Sequence, residues 1–492
     1  MALAGFVLVW VATQKYGIGL GSDAVGYVHI AREILAGRGV SPGYTLQPPL
    51  YPLTLALFGA ITFSDPLDAA VLAHALMLAS VIFIAGVLFL RHLAHSPFLA
   101  LAGTLGVLFS LALLNVTLTA FSELEFILLT LVALLSIERY GESTRARWPG
   151  VAIVATAGAC LTRYIGVALV GAGALALVWL LRAQPKRARL TASVFAFLSA
   201  LPLGLWALRN WSVTGEPFGP RAASRVGLFE NIRLAVETFA GWFAPDALTW
   251  LVWGVLFVAS ALGIAQYITH KKTRDGKTTL SLAPYALFVA LYVLLLALSA
   301  TTTGINRIGT RLLSPIYVPA WLIVLVIFDR ILDLLRPRWS ARIVNAAALG
   351  IVALALVYPS SRSAVVVARA VEQGAGGFNT TRWRTSETLQ YVKQHRAEMT
   401  RLLYTNGPDV LYILGNVDAQ SIPPKFQYAS NERAIDANAL RGTFPGEPVL
   451  LIWFDRIGRD DFLFSLEELD VMTRLTLIAQ LRDGAVYRME KR

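Results

Sequence analysis

Long apolar segments, separated by short polar loops, recur along most of this chain of 492 residues. A helix needs about 20 apolar residues to cross the hydrocarbon core of a bilayer, so segments of this kind predict membrane-spanning helices. A shorter apolar segment at 48–63, which begins with Pro48 and Pro49, predicts an interfacial or re-entrant helix instead. The pattern gives eleven candidate spans: 3–20, 67–90, 97–115, 120–138, 150–163, 165–181, 190–208, 247–269, 280–300, 312–329 and 343–358.

The last part of the chain has the mixed pattern of a water-soluble domain. It predicts one amphipathic helix, RWRTSETLQYVKQHRAEM, two short buried strands, RLLYTN and VLLIWF, and a hairpin, TLIAQLRDGAVYRM, that turns at Asp483-Gly484. We therefore predict an all-α polytopic membrane domain at 1–358 and a small α/β domain at 359–492.

The composition supports a membrane protein, and the distribution of basic residues argues against a nucleic-acid partner. Only 15% of the residues are charged and 56% are hydrophobic, whereas soluble domains carry about 25% charged residues. The net charge of +12 could suggest nucleic acid, but the basic residues lie in short loops between spans, so no nucleic-acid partner is expected. The lone Cys160 excludes an intrachain disulfide. Segment 3–20 lacks a basic start and a cleavage site, which predicts a retained span.

The basic loops predict the orientation of the chain, because Lys and Arg favour the cytoplasmic side. With eleven spans, the N-terminus is then inside, and loops 21–66, 210–246 and 301–311 and the domain at 359–492 face out. This arrangement predicts a multi-pass protein of the cell (inner) membrane with an extracytoplasmic C-terminal domain. The loops placed inside hold Arg91; Arg139, Arg145 and Arg147; Arg182, Lys186, Arg187 and Arg189; Lys271, Lys272, Arg274 and Lys277; and Arg330, Arg336, Arg338 and Arg342.

Two acidic positions at the predicted outer face are candidates for catalysis. Asp23 precedes a predicted interfacial helix at 24–35, so it is a candidate general base or simply the N-cap of that helix. Glu123 lies at the outer end of the span 120–138, where an acid also suits the helix macrodipole. A carboxylate in an apolar context is costly unless it meets water, metal or a basic partner. We expect Glu123, more than the nearby Glu125, to line one outward-facing cavity with Asp23.

Four arginines at the outer face are candidates for substrate binding. Arg163 is the only charge in the apolar stretch 150–181, which indicates a turn near LTRYIG. Arg209, Arg307 and Arg311 also lie outside, against the orientation rule. The guanidinium fork suits phosphate, so these residues indicate a phosphorylated, lipid-borne substrate. Snorkelling and lipid-headgroup binding are the alternatives. Tyr27 and His29 of the predicted interfacial helix complete the candidate substrate-binding set.

Several signatures of other enzyme classes do not occur in the sequence. There is no Walker A loop, no HExxH motif, no GxSxG elbow and no Cys/His cluster spaced for a metal. The residues therefore predict no metal site and no certain cofactor.

A series of motifs gives the chain a resemblance to a known family. The chain resembles the bacterial membrane glycosyltransferases of the GT-C class, a group that includes protein mannosyltransferases, the aminoarabinose transferases of lipid A and the RgtA/B/C/D-like enzymes. The motifs occur in this order: GSDAVGYVHIAREILAGRG with QPPLYPLTLALFG, FSELEFILLTLVALL, LTRYIG, LRNWSVTGEPFGP, RLLSPIYVP, and YTNGPDVLYILGN followed by Pro423-Pro424.

The resemblance implies an inverting transferase that uses a polyprenyl-phosphate sugar donor and a lipid, glycan or protein acceptor. It implies that Asp23 is the base, that Glu123 is the acid of the fourth span, and that Arg163 and Arg311 are the basic residues of the family's TK/TR and RxLxP motifs. Many members have Asp-Glu where this chain has Asp23-Ala24. The resemblance therefore leaves the use of a divalent metal open.

Two other classes fit part of the pattern. A secondary transporter is also polytopic with intramembrane charges, but it more often has paired halves, which this sequence lacks. A polysaccharide ligase or polymerase shares lipid-phosphate chemistry and basic outer loops. The acid in the first external loop and the large C-terminal domain favour the transferase. Convergence of Asp23, Glu123, Arg163 and Arg311 in one cavity would separate these classes.

Overall fold

The computed structural model describes the chain apart from residues 144, 146, 251–252, 255–281, 338–339, 400–401 and 459–461. Helices occupy most of the first 373 residues, and we number the described helices in chain order. They are α1 (Ala2–Thr13), α2 (Ser22–Leu35), α3 (Leu50–Thr62), α4 (Pro66–His92), α5 (Pro97–Leu108), α6 (Leu111–Thr117), α7 (Glu123–Ser143), α8 (Arg147–Thr162), α9 (Val167–Leu180), α10 (Pro185–Thr214), α11 (Leu228–Gly241), α12 (Ala283–Thr302), α13 (Thr310–Leu313), α14 (Tyr317–Leu335) and α15 (Ala341–Gln373).

Five helical stretches in the described residues are long and apolar enough to cross a membrane: α4, α10, α12, Thr310–Leu335 and Arg342–Gln373. A sixth results if α5 and α6, bent by 41°, form one span. The remaining predicted spans at 3–20, 120–138, 150–163 and 165–181 are also helical, but the helices are shorter or more polar. The predicted span 247–269 lies largely outside the described residues. The count of eleven therefore stays a prediction.

The outer surface of the helical region is apolar, as expected for contact with lipid. On α10, large apolar side chains such as Phe197, Leu205 and Trp211 are exposed. On the inner faces, Phe89, Phe126 and Phe288 are fully buried in one core shared by α4, α7 and α12. Backbone groups cannot meet water in the hydrocarbon region, so helices that satisfy their own hydrogen bonds are the expected architecture.

Helix α15 is longer than the sequence pattern suggested. The predicted span ends at 358, whereas the helix continues through Pro359 to Gln373. In the sequence, the polar run SSRS after Pro359 indicates the start of a water-soluble segment. A second apolar stripe, which includes Val366, Val367 and Ala370, packs near α1 and extends the helix instead.

Helix α2 begins at Ser22, two residues earlier than predicted, which changes the role of its acid. The helix starts at Ser22 with Gly21 as N-cap, so Asp23 lies in the first turn and is not the cap. A carboxylate in the first turn still benefits from the helix macrodipole. Ala24, Val28 and Ala31 of this helix are fully buried against α3 and the start of α4.

Backbone pairing fixes the segment that precedes α2. Gly19 pairs in parallel with Thr119, and Leu20 pairs in parallel with Gly377. Gly377 has φ +59°, and a Cβ there would lie 1.8 Å from the Leu20 carbonyl oxygen, so only glycine fits. These bridges hold the start of α2 beside the start of α7.

The C-terminal part contains a five-stranded mixed sheet, which confirms the predicted α/β content. The strands are β1 (Leu403–Thr405), β2 (Gln420–Ser421), β3 (Val449–Phe454), β4 (Thr473–Leu481) and β5 (Gly484–Lys491), in the order β2-β1-β3-β5-β4. β1 is parallel to both neighbours, whereas β3–β5 and β4–β5 are antiparallel. The predicted hairpin at Asp483-Gly484 is thus confirmed.

The helices of this part are short. They are α16 (Thr381–Arg384), α17 (Glu387–Gln394), α18 (Pro408–Val410), α19 (Ala437–Leu440) and α20 (Leu466–Met472). The single helix predicted over RWRTSETLQYVKQHRAEM is wrong, because α16 and α17 are separate. The Ser386 hydroxyl accepts a hydrogen bond from Leu389 N and so starts a new helix there.

Candidate functional site

Four of the predicted site residues form one continuous ion-pair network, which we call the acid–arginine cluster. Arg311 Nη2 lies 2.6 Å from Asp23 Oδ2, and Arg311 Nε donates to Glu123 Oε1 at 2.6 Å. Arg163 Nη1 lies 2.7 Å from the same Glu123 oxygen. The order of contacts is therefore Asp23–Arg311–Glu123–Arg163.

Each member of the cluster comes from the end of a different element. Asp23 lies in the first turn of α2, and Glu123 is the first residue of α7. Arg311 lies in the short helix α13. Arg163 lies in extended backbone between α8 and a 3₁₀ turn at Tyr164–Gly166, which confirms the predicted turn near LTRYIG. Helix ends that meet at one level of the bundle bring the four charges together.

The cluster has a buried end and an exposed end. The Glu123 side chain is 0% exposed and Arg163 is 17% exposed, whereas Arg311 and Asp23 are 24% and 34% exposed. Within the described part of the chain, Glu123 Oε2 and Arg163 Nε are buried without a hydrogen-bond partner. A buried charge is costly unless it is paired, so Glu123 and its two arginines depend on one another. Asp23 is the carboxylate that an incoming molecule can reach.

A second group of side chains supports the arginines. Ser122 Oγ accepts a hydrogen bond from Arg163 Nη1 at 3.1 Å and lies 3.0 Å from the Tyr27 hydroxyl. The Arg311 guanidinium carbon lies 3.7 Å from the centre of the Phe121 ring, a cation–π contact. Burial and the nearby Asp23 carboxylate raise the pKa of the Tyr27 phenol, so it stays protonated. Ser122 and Phe121 are not among the residues predicted from the sequence, although both precede Glu123 in the FSELE motif.

Arg209 lies outside the acid–arginine cluster and holds a loop. Its guanidinium donates to the backbone oxygens of Tyr44 at 3.1 Å and Ser41 at 2.9 Å and lies over the Trp206 ring at 4.7 Å. The loop is also held by the Tyr164 hydroxyl, which donates to Thr45 O at 2.6 Å. The described contacts of Arg209 are thus those of a loop anchor.

Arg307 and His29 are likewise not brought into the cluster. Arg307 lies 3.4 Å from Glu230 and lines a separate cavity of about 320 Å³. His29 Nδ1 lies 3.0 Å from the Tyr412 hydroxyl, in a contact between α2 and the C-terminal part of the chain. Glu125 is buried and accepts a hydrogen bond from Thr162, so it too lies outside the acid–arginine cluster.

The residues around Asp23 do not suit a divalent cation. Such ions prefer several oxygen ligands, usually including carboxylates. The two carboxylates of the cluster are instead neutralised by Arg311 and Arg163, and the residue that follows Asp23 is Ala24, which offers no side-chain ligand. Among the described residues, no group of three His, Cys, Asp or Glu side chains is placed to hold a metal ion.

The fold is that of GT-C glycosyltransferases, which confirms the resemblance expected from the sequence. ArnT of Cupriavidus metallidurans in the apo state matches with a TM-score of 0.61 and 14% identity, over 99% of this chain and 97% of that chain. The same protein bound to undecaprenyl phosphate matches with a TM-score of 0.59, 14% identity and the same coverage.

A second protein of similar structure is the archaeal oligosaccharyltransferase AglB of Archaeoglobus fulgidus, in complex with an inhibitory peptide and a dolichol-phosphate. It matches with a TM-score of 0.55 and 13% identity, over 92% of this chain and 69% of that chain. No protein-family model and no curated protein sequence matches this chain. At these identities the likeness is one of fold.

Proposed function

We propose that this protein is a membrane glycosyltransferase that moves a sugar from a polyprenyl-phosphate donor to an acceptor hydroxyl. The observation that carries the proposal is the acid–arginine cluster, in which an accessible carboxylate, Asp23, contacts an arginine suited to phosphate, Arg311. The solved structures that share the fold include two with undecaprenyl phosphate or dolichol-phosphate bound, which supports a lipid-phosphate donor.

The proposed reaction requires a general base and groups that stabilise the leaving phosphate. The acceptor oxygen attacks the anomeric carbon as the bond to the donor phosphate oxygen breaks, and polyprenyl phosphate leaves with the electron pair. Asp23 takes the proton from the acceptor hydroxyl as general base. Attack opposite the leaving phosphate inverts the anomeric centre.

We assign the two arginines to the donor phosphate. Arg311 is partly exposed and lies next to Asp23, so it can stabilise the negative charge that grows on the leaving group. Arg163 lies deeper in the cluster. Glu123, fully buried between them, acts in this account as a positioning residue that orients both guanidinium groups. Substrate-binding roles for Arg209, Arg307, His29 and Tyr27 stay predictions.

Removal of either arginine should weaken donor binding. Hydrogen bonds to charged groups contribute about 1.5–3 kcal/mol, so Arg163→Ala and Arg311→Ala should each lower the affinity for undecaprenyl phosphate roughly ten- to a hundredfold. Binding to purified protein in nanodiscs measures this directly. Arg38→Ala is the matched control, because Arg38 is exposed and pairs with Glu33 on the surface. Equal affinity in both cluster variants and the control would contradict the assignment.

The orientation follows from the loop charges and gives a separate test. We propose a multi-pass protein of the inner membrane with its C-terminal domain outside, where a lipid-borne donor and an extracytoplasmic acceptor can meet. A tag after Arg492 should be removed by protease added to spheroplasts that retain an intact inner membrane. Protection of the tag until the membrane is broken would contradict this orientation.

A polymerase or ligase that handles lipid-linked glycans is the second candidate, because it would use the same cluster. The two differ in the donor. A transferase consumes a single sugar on polyprenyl phosphate, whereas a polymerase consumes a glycan on polyprenyl diphosphate. Purified protein given each radiolabelled donor class should act on the monophosphate sugar.

A further inference from the structure

Three segments that are distant in the sequence meet at Gly304, in the loop that leads to Arg311. The Gly304 amide donates a hydrogen bond to the Ala222 carbonyl oxygen at 2.8 Å. A Cβ at this glycine would lie only 2.8 Å from Tyr428 O. It would also lie 3.3 Å from the carbonyl oxygens of Ala222 and Ala429. The contact therefore requires a residue without a Cβ, because backbone of the C-terminal domain lies directly on the loop that carries Arg311.

The part of the C-terminal domain that makes this contact is the turn at 427–432, which we call the docking turn. A backbone hydrogen bond of 2.8 Å joins its first and last residues. The Tyr428 ring packs edge-on against the Phe462 ring, with 5.5 Å between the ring centres. Ala429 has φ +54°, a left-handed conformation that a non-glycine residue keeps only where the surrounding structure holds it. The docking turn thus has a defined shape that faces Gly304.

Two side-chain contacts add to this backbone approach. The Tyr428 hydroxyl donates a hydrogen bond to Asn306 Oδ1. Glu432 Oε1 accepts a hydrogen bond from Ala223 N at 3.4 Å. The docking turn therefore contacts two outer loops that lie on either side of α12 in the chain.

The docking turn holds the part of the Arg311 loop that the helical core does not. Close to Arg311 the core fixes the chain, because Ile308 and Leu312 are buried. Farther upstream the loop leaves the core, and Asn306 and Arg307 are exposed. A catalytic or binding group must stay within about 0.5 Å of its productive position. A small displacement of the upstream loop can therefore matter for the guanidinium group.

We propose that Gly304 and Tyr428 are positioning residues for the reaction, through which the C-terminal domain holds Arg311 in the orientation that receives the donor phosphate. The inference rests on the proposed function, because it assumes that Arg311 contacts this phosphate. It gives the C-terminal domain a role in transfer, although the acid–arginine cluster itself lies in the helical part of the chain.

The first test is binding of undecaprenyl phosphate to full-length Gly304→Ala in nanodiscs. The added methyl group must displace the docking turn, so we expect the affinity to fall about three- to tenfold. Hydrogen exchange of the backbone amides at 303–309 should become faster. Gly446→Ala is the matched control, because a Cβ at this exposed glycine of the C-terminal domain meets nothing within 4 Å. Its affinity and hydrogen exchange should equal those of the wild type.

Tyr428→Phe is a milder variant that decides the question if Gly304→Ala does not fold. It removes the hydroxyl that donates to Asn306 and keeps the ring beside Phe462. Its unfolding temperature should stay close to that of the wild type, while the affinity for the lipid falls about twofold or more. Asn306→Ala should cause the same loss, and the double variant should lose no more than either single variant.

The Arg311→Ala background separates positioning from a general structural role. If Gly304 acts through Arg311, Gly304→Ala should lower the affinity of Arg311→Ala by less than about twofold. A residue with only a structural role would lower the affinity equally in both backgrounds.

Two results would overturn the inference: wild-type affinity in Gly304→Ala and Tyr428→Phe, or an equal loss with and without Arg311. Faster hydrogen exchange at 303–309 with full lipid affinity would also overturn it, because the docking turn would then not affect Arg311. The proposed function is tested separately by the wild type. If the wild type does not bind undecaprenyl phosphate, the proposed function fails, and the role of the docking turn in donor binding fails with it. If the wild type binds the lipid and the variants bind it equally well, only the inference fails.

Discussion

Replacement of Asp23 by asparagine should slow sugar transfer at least about a hundredfold, because a positioned general base contributes 10²–10⁴-fold to the rate. The side chain is about a third exposed and is held by Arg311. Asparagine has nearly the same size and can still accept a hydrogen bond from that arginine. It cannot take up the acceptor proton. Binding of undecaprenyl phosphate should therefore stay within about twofold of the wild type, while single-turnover transfer nearly stops.

Glu33→Gln is the matched control for this substitution. Glu33 lies on the same helix and forms a surface ion pair with Arg38, and pairs of this kind contribute little. Transfer by this variant should equal that of the wild type. If Asp23→Asn kept near-wild-type transfer while Glu123→Gln abolished it, Glu123 would be the base and the assignment of Asp23 would be wrong.

Glu123→Gln should mainly destabilise the protein. The substitution leaves Arg163 and Arg311 without their shared buried counter-charge, and loss of one partner of a buried ion pair typically costs about 3–5 kcal/mol. We expect a markedly lower thermal unfolding temperature in detergent and a shorter half-life of the purified protein. Donor affinity of the remaining folded protein should also fall, since both arginines lose their orientation.

The control for stability is Glu142→Gln at the other end of α7. Glu142 is half exposed and contacts Arg91 at 2.8 Å. Its loss should shift the unfolding temperature only slightly. If Glu123→Gln unfolded like the wild type yet lost all transfer, a direct catalytic role for Glu123 would replace the positioning role.

The four charged residues of the acid–arginine cluster could be predicted from the sequence, but the contacts between them could not. Asp23, Glu123, Arg163 and Arg311 could be found because each breaks a local rule: a charge at an apolar helix end is costly and needs a reason. Their order in the cluster could not be found. It depends on the pairing of Gly19 with Thr119 and of Leu20 with Gly377, contacts between distant segments that leave no local pattern.

The same limit explains the misplaced elements. The end of α15 at Gln373 rather than 358 depends on the packing of Val366, Val367 and Ala370 near α1, which a polar run at Ser360 and Ser361 concealed. The start of α2 at Ser22 depends on Gly21, an N-cap without a side chain. Arg209 broke the charge rule as clearly as Arg163 did, yet it bonds to backbone oxygens of a loop. Composition cannot distinguish such an anchor from a ligand-binding arginine.

The most direct test of the proposed function is transfer by the purified protein itself. Wild type and Asp23→Asn are incubated in nanodiscs with a panel of radiolabelled polyprenyl-phosphate sugars and a membrane extract as the source of acceptor, and the label is followed by chromatography. We expect the wild type to move label from at least one donor to a new product and Asp23→Asn to leave the label on the lipid. Label that stays on every donor with the wild type, or that is transferred equally by both proteins, would contradict the proposed function and the role of Asp23.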